Sequence, residues 1–151
     1  MREKGLTLLE VMITVALLLI LAAATVPVAK TAIKRQRELE LKTALRQMRD
    51  AIDEYKKYFD QGLIQKEGLT SEGYPPDLDT LVEGVNLVGQ LDKKKRFLRR
   101  IPKDPMTNSY EWGLRSLQDD HDSTSWGGQD VYDVYTQSGG TALDGTEYKD
   151  W

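Results

Sequence analysis

The chain has no cysteine, so disulfide frameworks, thiol chemistry and cysteine-ligated metals are excluded. It has one histidine, His121, which removes a histidine-rich zinc site. Neither a P-loop nor a dinucleotide-binding glycine fingerprint occurs, and nothing around the serines resembles a nucleophile elbow. Charge of one sign is lacking too: the formal net charge is -3, with the signs interspersed, so bulk electrostatics select no partner. An exported domain built this way must rely on packing, or on a bound ion. Catalysis has no constellation to rest on, and the chain is expected not to be an enzyme.

What is present is distributed very unevenly. Leu6–Ala29 contains only four polar side chains, Thr7, Glu10, Thr14 and Thr25, while the chain from Lys30 onward is strongly charged. The mean hydropathy of -0.51 therefore averages one membrane-grade segment with a very polar remainder. As a helix, Leu6–Ala29 is long enough to cross a hydrocarbon core of roughly 30 Å. A cleaved secretory signal would have a shorter apolar region, although Ala22-Ala23-Ala24-Thr25-Val26 imitates its cleavage site. A plain signal anchor is the other rival. Against both stands Glu10, an ionisable group costing about 2.5–3.5 kcal/mol in the bilayer centre unless it is paired. Ahead of it lies a short basic leader, Met1-Arg2-Glu3-Lys4-Gly5. A cut after Gly5 would give Leu6 a new α-amino group four residues from Glu10, on one face of a helix. Ammonium and carboxylate could then partner one another, within a chain or between neighbours.

Gly5-Leu6-Thr7-Leu8-Leu9-Glu10-Val11-Met12 resembles the signal of type IV pilins and pseudopilins. The resemblance implies that a prepilin peptidase cuts between Gly5 and Leu6 and N-methylates Leu6, and that Glu10 guides assembly. The family usually has Phe where this chain has Leu6. Pro27 tends to kink a helix; the resemblance implies further that it ends a stretch able to melt on entry into a filament. Flanking charge alone points the other way. Arg2 and Lys4 precede the span, but Lys30, Lys34, Arg35 and Arg37 follow it, which would favour a cytoplasmic C-terminus. The resemblance implies the leader inside and the C-terminal region in the periplasm.

Beyond the span, Leu41, Leu45, Met48, Ile52, Tyr55 and Phe59 form one apolar stripe at helical spacing. Glu38–Lys42 and Asp53–Lys57 stand at i,i+4 on other faces, and Gly62 is a stop. One helix from Leu6 to about Gln61 follows, about 80 Å long. Gly68, Gly73 and Pro75-Pro76 mark a loop. Pro76–Val82 reads as a short helix capped by Asp77, with Gly84 and Gly89 after it. The stretch to Arg100 reads as a second short helix or remains unassigned, and Pro102 and Pro105 bracket a rigid connection. Tyr110–Ser116 and Val131–Thr136 read as strands around a polar loop, Gln118–Gln129. The expected fold is α+β: leader 1–5, apolar helix 6–29, amphipathic continuation 30–61, and a globular region 62–151 with a small antiparallel sheet.

Ile101-Pro102-Lys103-Asp104-Pro105-Met106-Thr107-Asn108-Ser109-Tyr110 is similar to the Leu-Pro-x-Asp-Pro-Trp-Gly-Asn-x-Tyr segment of the major pseudopilin of type II secretion. Val131-Tyr132-Asp133-Val134-Tyr135 resembles the strand that follows it there. This resemblance implies an inner-membrane subunit polymerising into a periplasmic filament with its own copies, minor pseudopilins and an assembly platform. It also implies a calcium ion in the loop Thr136–Asp150, with Asp144 and Asp150 as the acids, although Gly139-Gly140 stands where the family has an Asp. The cluster Asp119-Asp120-His121-Asp122 is a second acidic candidate, more simply a solvated loop. Lys93-Lys94-Lys95-Arg96 with Arg99, Arg100 and Lys103 reads as a solvated face or as filament salt bridges, so no nucleic-acid partner is expected. The alternatives are a type IV pilus or DNA-uptake subunit and, from another class, a membrane-anchored periplasmic binding domain that never polymerises.

Overall fold

One helix, α1 (Leu8–Asp60), dominates the chain. The computed structural model describes residues 5–64 and 72–151, so Met1–Lys4 of the leader and Gly68 lie outside the described residues. Thr7 sets where α1 begins. Its carbonyl accepts from the Val11 amide at 3.1 Å and its hydroxyl accepts from the Glu10 amide at 3.3 Å. This is the N-cap geometry that satisfies donors with no partner inside the first turn. Gly62 sets where α1 ends. At φ 67° it donates to the Phe59 carbonyl at 2.9 Å, and Leu63 donates to Tyr58 at 3.0 Å. The pair forms a Schellman motif, with glycine in the left-handed position as the sequence predicts.

The chain divides into two units, residues 1–36 and 37–151, so the outer half of α1 belongs with the C-terminal region. In that second unit Leu41, Leu45, Met48, Ile52 and Tyr55 are buried, joined by Ala44 and Ala51. They meet Ile64, Leu78, Leu81, Leu98, Trp112, Val131, Val134, Ala142 and Tyr148 in one core. Phe59, the last member of the expected stripe, is only partly buried.

The short helix α2 (Leu78–Glu83) is capped as expected: Asp77 Oδ1 accepts from the Thr80 amide at 2.7 Å and its hydroxyl at 2.8 Å. The stretch after it is not a second helix. It forms an antiparallel hairpin, β1 (Val85–Leu87) with β2 (Gln90–Lys95). Gly89 at φ 80° turns the chain between the two strands. The Val88 amide donates to the Leu63 carbonyl at 2.8 Å, and Ile64 bridges to Leu87. Backbone partners from the chain just after α1 thus outweigh the weak helical preference of a lysine-rich segment.

The expected strands exist but are shorter than the sequence suggests. They are β3 (Gly113–Arg115) and β4 (Asp133–Tyr135), antiparallel to each other in a separate two-stranded sheet. A 3-10 turn, Tyr148–Asp150, closes the chain. The architecture is the expected α+β.

The Asp-Pro segment owes its form to one buried carboxylate. Asp104 is fully buried and accepts from the Met106 amide at 2.7 Å, the Thr107 hydroxyl at 3.0 Å and the Thr136 hydroxyl. The Asp104 carbonyl also accepts from the Asn108 amide at 2.8 Å, and Asn108 adopts φ 59°, a conformation asparagine tolerates better than most residues. Trp112 Nε1 donates to the Pro102 carbonyl at 2.9 Å, so the rigid connection is tied at both ends.

Candidate processing and assembly site

Apart from Glu10, Thr14 and Thr25, residues 8–29 of α1 are apolar, and every described side chain among them is exposed. Leu8 is 79% exposed, Ile20 67% and Val28 69%, and none of the most apolar window is buried. Each exposed CH2 left in water costs about 0.8 kcal/mol, so this segment is stable only where something apolar surrounds it. It is the one helix among the described residues long and apolar enough to cross a membrane.

The threonines that interrupt the run are less polar in place than in sequence. Thr14 donates its hydroxyl to the Val11 carbonyl at 2.9 Å and Thr25 to Leu21 at 2.9 Å. Such back-bonding hides a donor within the helix itself. Thr31 does the same to the Pro27 carbonyl at 3.1 Å. Pro27 lies inside α1, and the helix continues on both sides of it. Its missing N–H leaves the Ala23 carbonyl without the usual i→i−4 partner, so a local weak point exists without a break.

Glu10 is exposed in the first turn, where an anion is favoured by the helix dipole. Thr7-Leu8-Leu9-Glu10 has the spacing of a capping box, a local reason for this Thr and Glu that the charge argument alone missed. With Gly5 still attached, Leu6 precedes the Thr7 cap and lies outside the helix, while Glu10 is inside it. An α-amino group created on Leu6 would stand just ahead of the capped turn, four residues before Glu10 in the chain.

Asp144 and Asp150, the acids expected to hold calcium, have different surroundings. Asp144 Oδ1 accepts from the Thr146 amide at 3.0 Å and its hydroxyl at 2.7 Å, and these bonds hold the carboxyl below the usual carboxylate range. Asp150 sits in the 3-10 turn. Among the described residues no three acids or histidines converge as a metal site. Side chains close the loop instead. Trp151 Nε1 donates to the Thr146 hydroxyl at 2.7 Å, its ring packs edge-on against Tyr148 at 5.2 Å, and Lys42 lies 4.1 Å over that ring.

Glu38 does not act as a surface partner of Lys42, and that expectation is corrected. It is buried, and one carboxylate oxygen accepts from the Leu143 amide and the Tyr148 hydroxyl, both at 2.9 Å. Burial, then this bond, pushes the Tyr148 hydroxyl up to about 12. Arg49 is a second contact that sequence spacing does not disclose. Its guanidinium grips Asp133 at 2.6 and 3.2 Å and also donates to the carbonyls of Val134 and Trp151. Arg115 lies 3.6 Å from the same Asp133. Glu38 and Arg49 fasten the C-terminal tail to the outer half of α1.

The acidic cluster also serves the loop. Asp119 accepts from the Ser116 and Gly127 amides at 2.7 and 3.0 Å, which lowers its pKa, while His121 and Asp122 are exposed. Of the basic concentration, Lys95 pairs with Glu54 at 2.8 Å, and Arg99, Arg100 and Lys103 are exposed around a groove that also includes Tyr110. The Lys93 side chain lies outside the described residues.

No curated protein and no solved structure matches the chain. Residues 1–26 match the prokaryotic N-terminal methylation motif, and the chain therefore carries the signal of a type IV pilin-like substrate of prepilin peptidase.

Proposed function

We propose that this protein is a structural subunit of a type II secretion pseudopilus, made as a membrane-anchored precursor and polymerised through α1. The observation that carries the reading is the methylation motif placed on a helix whose apolar half is exposed on all faces. A single chain leaves that half without apolar neighbours. The bilayer supplies them before assembly, and the same segments of neighbouring subunits supply them afterwards. Prepilin peptidase cuts after Gly5 and methylates Leu6. Glu10 then fixes the register of each incoming subunit, because a carboxylate in an apolar filament core is tolerated only beside a cation. The α-amino group of Leu6 on a neighbour is that cation. The weak point at Pro27 lets the helix adjust on entry. The role is mechanical, not catalytic, and its partners are further copies, minor pseudopilins and an inner-membrane assembly platform.

The secretion assignment, in preference to a surface pilus or DNA-uptake filament, is supported by the Ile101–Tyr110 and Val131–Tyr135 segments. Deleting the gene tests it. Exported proteins should accumulate in the periplasm while surface motility and DNA uptake persist. Lost motility or DNA uptake with normal secretion would overturn the assignment in favour of a pilus. Normal behaviour in all of these assays, with no sedimentable polymer of the protein in the undeleted strain, would favour a non-polymerising anchored domain.

A further inference from the structure

We propose that Lys30, Lys34 and Arg35 form a contact for the headgroups of anionic phospholipid, in the leaflet where the apolar segment ends. The inference rests on the membrane-anchored reading above.

Between Glu10 and Glu38 the chain has no acidic residue. Its first cations after the span are these three, with Lys30 and Arg35 exposed and Lys34 partly so. At 1.5 Å per residue they fall about 2–9 Å beyond Ala29 along the helix. The headgroup region extends roughly 5–8 Å past the hydrocarbon on each side. Helical side chains lean toward the helix N-terminus, which here is toward the bilayer. Long cationic side chains so directed keep their stems along apolar surface and their charges among phosphates. Lys30 and Lys34, one turn apart, share a face, and Arg35 lies beside them.

Charge balance selects the lipid. Removing Met1–Gly5 takes away Arg2 and Lys4, so the flanking cationic side chains of the cut chain all follow the span, and the new Leu6 ammonium is already matched by Glu10. Cations on the exported side run against the usual preference for a cytoplasmic location. A leaflet carrying net negative headgroups offsets them, whereas a zwitterionic headgroup already partners its own phosphate.

The test uses the processed chain, Leu6–Trp151, purified from its native membrane and reconstituted in phosphatidylcholine vesicles containing a trace of spin-labelled lipid, either phosphatidylglycerol or phosphatidylcholine. The fraction of each probe immobilised by the protein is read by electron paramagnetic resonance. Phosphatidylglycerol should be preferred about fivefold, the worth of one engaged cation. The preference should fall in high salt and vanish in the triple variant Lys30→Gln, Lys34→Gln, Arg35→Gln. Because these residues lie outside the core, native tryptophan fluorescence checks that the variant is folded. Equal association of the two probes, or a preference that survives the triple substitution, would overturn the lipid contact alone. So would a preference lost as copies cross-link through these lysines, which would assign the cations to a second copy. If neither probe is immobilised, the chain is not in the bilayer, and the anchoring reading falls with the lipid contact.

Discussion

Leu17 and Met48 are apolar residues of one helix, yet Leu17 is 56% exposed and Met48 is fully buried. Around Met48 the helix shows an apolar stripe and a polar remainder, and the C-terminal region covers the stripe. Around Leu17 every face is apolar, and nothing among the described residues covers it. One physical rule, that apolar surface leaves water, is obeyed inside the molecule in residues 37–151 and deferred to another body in residues 8–29. The difference explains why the two stretches should respond oppositely to substitution: one governs whether the subunit folds, the other where it resides and what it joins.

Glu10→Val should have the largest effect. Sedimentable polymer should be lost, while urea unfolding of residues 37–151, followed by tryptophan fluorescence, should not change. Polymer formed at the normal level would break the link between the apolar segment and assembly. Met48→Ala should do the reverse, lowering the unfolding free energy by about 2–5 kcal/mol through a core cavity. Leu17→Ala in the same assay should leave it unchanged. Asp104→Ala comes next. It strips three donors of a buried acceptor and should cost about 3 kcal/mol in denaturant unfolding, with no effect on processing at Gly5.

The smallest effect sharpens the electrostatics of the second region. Asp130 is fully buried; its Oδ1 accepts from the Leu117 amide at 3.0 Å, and its Oδ2 has no partner among the described residues. Desolvation raises its pKa. A carboxyl raised on folding destabilises above its folded pKa, and the penalty fades as pH falls through that value toward the unfolded one. Asp130→Asn keeps the acceptor for Leu117 and removes the charge. Its thermal midpoint should rise by a few degrees at neutral pH, and the gain should shrink on acidification. A lower midpoint at neutral pH would contradict this account.

Legibility in the sequence followed the range of the contacts. The apolar run, the Leu41–Tyr55 stripe, the Asp77 cap and the Gly62 stop are set by neighbours a few residues away, and all could be read directly. Glu38 could not, because its partners Leu143 and Tyr148 lie more than a hundred residues downstream; at helical spacing it looked like an ordinary surface acid. Arg49 and Asp133 were hidden for the same reason. The 85–95 hairpin is not legible because its preference is decided by Leu63 and Ile64, just after α1, rather than by its own lysines. At the candidate site the residue types at Gly5, Leu6 and Glu10 were legible, while the start of the helix after Leu6 depended on recognising Thr7 as a cap.

The most direct test of the account is peptide and intact mass spectrometry of the N-terminus of protein taken from its native membrane. The account predicts loss of Met1–Gly5 and a single methyl group on the Leu6 amine. An intact leader, or a cut near Ala24 that discards the apolar segment, would contradict it.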